Sequence, residues 1–493
     1  MSIPLTGFFA LLSSPSNPLI EGVTKILHYL LRPESYHALD KDFSDYLTEG
    51  LQHPNPSVQL LALEQLRKYK SSEGPFGGKY IPWILLLLSS QNVDVVRASE
   101  DVLVNVAQTP DNLHLVFATE NQEAMAPMMK DSTIRFRVYD LFVGISLASP
   151  EALEICSHYG ILGELCAEAQ SPDLLRRLSA LDIYQKLAHS PEGFAYMQSK
   201  FVFSPYLDLM SKETESSDIQ ITLVSCSTIE FFAKFIDYQH VDFAEFQAET
   251  LLFDVMGKLL NSDNSDIKSS AVMALGHIGS QPRGLSLVAQ HPSHLLDRLA
   301  EEYNDAWQKY TLACLQAIAL IFEAGRVLAR SSRQITGSQI LTNWSSEIFP
   351  EHFLVAIFPI RNDNSLEIAQ ITEQFYSRID KSRALGEWVK YAKQDTADAS
   401  PFCLRLLTAM AGYTWGRKEM LANHLFMAYL FNRSANRAHD RKVQKHQLVE
   451  RLYMMDHAHP VFDENVHQVL ARYIKDGAFY IPAEAAVASQ SSQ

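Results

Sequence analysis

Four carboxylates, Glu64, Asp101, Asp140 and Asp182, are the residues whose type and spacing point most directly to chemistry in this chain. Each stands five residues before a matched apolar residue near the end of a helical run, namely Tyr69, Val106, Ile145 and Leu187. Carboxylates recurring at one register make a line of negative field, and such a line attracts and steers a basic surface. Further along, the same register holds Ser227, Met273 and Ala313, so the line belongs to the N-terminal half. Solvated helix faces are commonly charged, and that plainer reading stands beside the first.

Other candidates are weaker. Gly74-Pro-Phe-Gly-Gly-Lys79-Tyr80 approaches a phosphate-binding loop, but its spacing is wrong and Tyr80 stands where a Ser or Thr must hold magnesium. His457 and His459 beside Asp456 have the donors for a metal, yet Pro460 follows at once and the segment reads as a loop. His291 and His294 read the same way. Cys156, Cys166, Cys226, Cys314 and Cys403 are scattered through apolar helical runs without a Cys-x-x-Cys pair, as buried thiols in a reducing compartment would be. Arg433, Arg437, Arg441, Lys442 and Lys445 form a basic island that reads as a solvated helix face. No nucleophile elbow, zinc-protease motif or dinucleotide fingerprint occurs. The expectation is a non-enzyme with no cofactor and no metal.

The elements that position these residues repeat. Ile134 to Ile145 and Leu174 to Leu187 are helical runs, with Val138, Leu141, Phe142 and Ile145 in the first and Leu178, Leu181, Tyr184 and Leu187 in the second at helical spacing. Each is followed by Ser-Pro-Glu, at Ser149 and at Ser190, which supplies a capping hydroxyl, a first-turn proline and a carboxylate at the positive helix end. Matched helix ends at Tyr69, Val106, Ile145, Leu187, Phe232, Ile278, Ile318 and Met410 are separated by 37, 39, 42, 45, 46, 40 and 92 residues. These spacings fall near the ~40–47-residue period of armadillo and HEAT repeats, the last being two periods. Leu366 to Ile379 supplies the missing helix. Neither apolar/polar alternation nor an Asn-Gly or Asp-Gly turn signals a strand.

The expected fold is therefore all-α, a curved armadillo/HEAT-type solenoid of about nine to eleven repeats. It runs continuously over 1–485, with halves at about 1–240 and 241–485, an inserted loop at 326–346 and a disordered tail at 486–493. In such arrays the carboxylate register lies on the concave face. Trp83, Trp307, Trp344, Trp388 and Trp415 share no register, unlike the Trp/Asn ladder of nuclear-import adaptors.

Net charge is −15, which argues against nucleic acid or an anionic membrane as partner and favours a basic protein surface. The longest apolar run, Ile81 to Leu88, is far short of the roughly 20 residues of a membrane span. The N-terminal stretch lacks a basic segment followed by a long apolar one, so no signal peptide is expected. Cytoplasm, with the nucleus as a second compartment, follows from these features.

Leu51-Gln-His-Pro-Asn-Pro-Ser-Val-Gln-Leu-Leu-Ala-Leu63, Ile134-Arg-Phe-Arg-Val-Tyr-Asp-Leu141 and Ser149-Pro-Glu-Ala-Leu153 resemble the family of proteasome base-assembly chaperones that includes proteasome non-ATPase regulatory subunit 5. The likeness continues from Gly160 to Met197 and returns in Asp476-Gly-Ala-Phe-Tyr-Ile-Pro482. It implies a non-catalytic protein, monomeric before it meets its partner. That partner is the C-terminal domain of one AAA+ ATPase subunit of the regulatory-particle base, which it holds back from premature docking on the proteolytic core. Another armadillo-type adaptor or scaffold, serving transport or a chaperone, fits the same residues without the resemblance.

Overall fold

A computed structural model describes residues 5–212, 218–305, 313–324, 363–379 and 381–480. Among the described residues every regular element is helical and there is no β-strand. The expected insertion at 326–346 and tail at 486–493 lie outside the described residues, as do Trp307 and Trp344. The chain forms two compact units, Met1–Tyr206 and Leu207–Gln493.

One long helix recurs in each clear repeat. These are α1 (Pro56–Leu66), α2 (Val93–Val106), α3 (Ser132–Ser146) and α4 (Leu174–Leu187) in the first unit. In the second unit they are α5 (Ile219–Ala233) and α6 (Ser265–Gly279). All six start on an Asn or Asp whose side-chain oxygen accepts a backbone N–H of the first turn: Asn55, Asn92, Asp131, Asp173, Asp218 and Asn264. Each cap lies fourteen residues before the matched apolar residue of its repeat. Such a cap satisfies one of the donors that a helix start leaves without a partner. Cap and apolar end together fix the length of this helix in each of the six repeats, while the spacing from one repeat to the next varies from 37 to 46 residues.

The helix that follows is set as the Ser-Pro-Glu pattern predicts. Ser149 Oγ accepts the N–H of Ala152 at 3.1 Å and Ser190 Oγ that of Gly193 at 3.0 Å. Gly193 is tight for another reason. A Cβ there would sit 2.2 Å from the carbonyl oxygen of Leu187, so the next helix starts directly against the end of α4. The same junction recurs in the second unit, where a Cβ on Gly284 would lie 2.1 Å from the Ile278 oxygen.

Apolar faces close between successive repeats, as a stacked array requires. Val102, Leu103 and Val106 of α2, Phe142 and Ile145 of α3, and Tyr184 and Leu187 of α4 are buried. In the second unit Phe231, Phe232, Phe235 and Phe246 form one ring cluster with centroids 4.8 to 5.9 Å apart. Trp388 and Trp415 are also core residues there, with indole N–H groups donating to Tyr303 and Thr372 at 2.8 and 3.3 Å. The expected helix near 366–379 is Asp363–Arg378.

All five cysteines lie in helices and are unpaired, four buried and Cys226 half-buried. One stretch, Ile219–Asp237, has the length and mean hydropathy of a membrane span, but 56% of that window is buried inside the protein. It includes α5 and serves as a core helix.

Candidate functional site

Polar side chains reach back across repeat boundaries at one recurring position, the residue just before the matched apolar one. Lys68 Nζ donates to the carbonyls of Leu31 and Glu34 at 2.6 and 3.1 Å, at the end of the preceding repeat's helix. Asn105 Nδ2 donates to the Tyr69 carbonyl at 2.9 Å. Lys186 Nζ contacts both carboxylate oxygens of Asp140 at 2.6 and 2.8 Å. In the second unit His277 meets Asp237 at 2.8 Å. Lys68 and Asn105 thus meet helix-end carbonyls, which are electronegative and lack intrahelical partners, whereas Lys186 and His277 meet carboxylate side chains.

One of these rungs, Lys186, also neutralises one of the four carboxylates. Glu64, Asp101, Asp140 and Asp182 sit on α1, α2, α3 and α4, one per repeat, as their spacing predicts. They are not a bare acidic line. Glu64 pairs with His28 at 2.7 Å, Asp101 with Arg67 at 3.5 Å and Asp140 with Lys186 at 2.6 Å. Asp182 is exposed and makes no ion pair among the described residues. Reading along the chain for acids alone misses the cations, because each cation comes from a neighbouring repeat.

Asp101 and Asp140 share a groove of about 480 Å³ that lies between α2, α3 and the end of α4. Glu100 lines it too, a residue that no spacing in the sequence singles out. Half-burial and the nearby Asp140 push the Glu100 carboxyl up to about 7, against the opposing pull of Lys186 and Arg137. Glu100 has no hydrogen bond or ion pair among the described residues. Gly144 of α3 forms part of the wall, where an added Cβ would lie 3.3 Å from Val104 Cγ2, slightly closer than ordinary contact. The arrangement can bind and orient a positively charged group. It brings together no nucleophile with a general base.

The remaining candidates resolve as structural groups. The basic island is not a solvated face. Lys445, buried, donates from Nζ to the carbonyls of Tyr429 and Asn432 at 2.7 and 2.6 Å, and burial pushes it down to about 7. Arg433 lies 3.9 Å above the Tyr473 ring and donates to the carbonyls of Tyr473 and Gly477, tying down the last described helix, Glu464–Asp476. Arg437 remains exposed. His457 is not in a loop but in the final turn of the helix His439–Ala458, which extends to the residue before His459. Asp456 is buried, where it accepts the N–H groups of Val461 and Phe462 and faces Arg417 at 3.7 Å.

The model of the family described as proteasome non-ATPase 26S subunit matches residues 3–337 and 353–492. The chain belongs to that family. Among its relatives, 26S proteasome non-ATPase regulatory subunit 5 of Homo sapiens is 21% identical, over 91% of this chain and 83% of that protein. The Mus musculus protein of that name is 22% identical over 99% and 91%, and the Drosophila melanogaster one 20% over 97% and 86%. Among solved structures, a designed armadillo repeat protein in complex with peptide (KR)4 covers 59% of this chain at 14% identity, with a TM-score of 0.39. A likeness at that level says nothing about what this chain binds. In this proteasome non-ATPase 26S subunit family member, the groove between α2 and α3 is thus set among side chains that otherwise spend their polarity on joining repeats.

Proposed function

We propose that this protein is a non-catalytic assembly chaperone of the proteasome regulatory-particle base. It binds the C-terminal domain of one AAA+ ATPase subunit and hinders that subunit's premature docking on the core particle. The observation that carries this reading is the family match, which runs through both units. Helical repeats that present a long surface, and polar groups engaged in joining those repeats, suit a holder of another protein better than a site of turnover. The protein acts in the cytoplasm, with the nucleus as a second compartment, and is a monomer until its partner arrives.

The test uses the full chain and the isolated C-terminal domains of the base ATPase subunits. One domain is expected to bind, and the corresponding ATPase is expected to associate more slowly with core particles when the protein is present. ATP should be neither bound nor hydrolysed. Binding that requires the nucleotide domain and ignores the C-terminal one would overturn the mechanism, and recovery of transport factors in place of proteasomal ATPases would replace it with an adaptor role.

A further inference from the structure

The recurring rung is missing once in the first unit. Lys68, Asn105 and Lys186 occupy the residue before the matched apolar one in their repeats, and each reaches back across a boundary. In α3 that residue is Gly144. Nothing in its backbone demands glycine, since it is not among the positive-φ residues and lies inside a helix, where glycine is unfavourable. Its only neighbour within reach of an added Cβ is Val104 Cγ2 at 3.3 Å. No described side chain donates to the carbonyl end of α2, the place a rung from position 144 would reach. The groove of about 480 Å³ opens beside it.

Charge in the groove is unbalanced in one direction. Arg67 and Asp101 are paired, as are Lys186 and Asp140. Glu100 is left over, half-buried and without a hydrogen bond or ion pair of its own among the described residues, midway along α2, while Asn105 and Gln108 at the negative end of that helix line the same groove. A half-buried carboxylate, a negative helix end and an empty volume are together complementary to a long-chain cation. We propose that this groove takes one lysine or arginine side chain from a protein partner, which completes the rung that Gly144 omits. That the cation comes from a protein rests on the function proposed above; that the groove accepts a long-chain cation does not.

The probes are Nα-acetyl-lysine methylamide and its norleucine counterpart, titrated into the full chain while the methyl NMR signals of Val104 and Leu141 are followed. Saturable shifts are expected with the lysine probe and none with the norleucine one. Glu100→Gln should weaken the lysine response by about tenfold or more, the order expected when a charge-assisted contact is lost. Gly144→Lys, which puts the rung back from within, should abolish it. Equal shifts with both probes would sink the proposal. So would an undiminished lysine response in Glu100→Gln with an unchanged thermal unfolding curve. If Gly144→Lys does not fold, the Glu100→Gln comparison alone decides. A groove that binds the lysine probe in a protein that ignores every ATPase C-terminal domain would leave this inference standing and remove the proposed function.

Discussion

Gly163 and Gly193, both in the first unit, lie inside helices with ordinary backbone geometry, and replacing each by alanine should move stability in opposite directions. At Gly163 an added Cβ meets nothing within 4 Å. Alanine there gains helix propensity and restricts the unfolded chain, a stabilisation of about 0.5–1 kcal/mol. At Gly193 the same Cβ would lie 2.2 Å from the Leu187 carbonyl oxygen. Ordinary C···O contacts sit at about 3.3 Å, so the helix must retreat by about 1 Å. The obstacle is backbone, which cannot rotate away, so the overpacking cost falls near the upper end of about 1–3 kcal/mol. Propensity returns about 1 kcal/mol, leaving a net loss of about 2 kcal/mol. The two variants should therefore differ by about 3 kcal/mol in urea unfolding followed by far-UV circular dichroism. If Gly193→Ala proves as stable as Gly163→Ala, the close junction between α4 and the following helix does not exist as described.

Further expectations concern charge and burial. Lys445 is pushed from its ordinary 10.5 to about 7, so between those values the unfolded chain holds a proton that the folded one has released. Stability should accordingly rise with pH from 7 towards 10, on the order of 1 kcal/mol per pH unit, and Lys445→Met should flatten that slope in urea midpoints measured at both ends. Arg417→Met strands Asp456 inside the second unit and should cost about 3–5 kcal/mol, part of it regained on adding Asp456→Asn. Burial pushes the Cys156 thiol up to about 12, so alkylation of Cys156 in the native protein should proceed only as fast as the region opens. Asp140→Lys combined with Asp182→Lys should slow association with the ATPase domain and flatten its salt dependence, each exposed pair being worth only about 0.2–1 kcal/mol; stopped-flow rates identical to those of the unaltered protein would reduce the carboxylate register to a solvated face.

The repeat architecture was legible because burial acts on residues that are close in sequence. Val138, Leu141, Phe142 and Ile145 announce their helix by spacing alone, and Ser149 and Ser190 announce the next helix by local capping chemistry. A further local signal lies in the Asn or Asp cap fourteen residues before each matched position from Asn55 to Asn264. What sequence could not disclose depends on partners about 40 residues away. The ions that neutralise Asp101 and Asp140 do not lie on the same helices as those carboxylates, since Arg67 follows α1 and Lys186 belongs to α4. Lys445 looks solvated in a run of charges, and only the packing of Tyr429 and the last helix makes it a buried donor. Glu100 sits beside Asp101 in sequence, yet its distinction is the missing side chain at Gly144 in the next repeat.

That missing side chain also has a mechanical meaning. Near its start, α3 is fastened to the preceding repeat by Arg137, whose Nη1 donates to the carbonyls of Leu88 and Ser90 at 2.7 and 2.9 Å. Seven residues later, about 10 Å along the axis, the corresponding fastener is absent at Gly144. A seam riveted at one end and open at the other would pivot before it slid. Splaying α3 from α2 would widen the groove without breaking any polar contact between them among the described residues, and a side chain inserted at the open end, as proposed above, would set the angle. In an array whose repeats each lean only on their neighbours, a fixed angle at one seam is carried as a lever arm to every repeat beyond it within the unit.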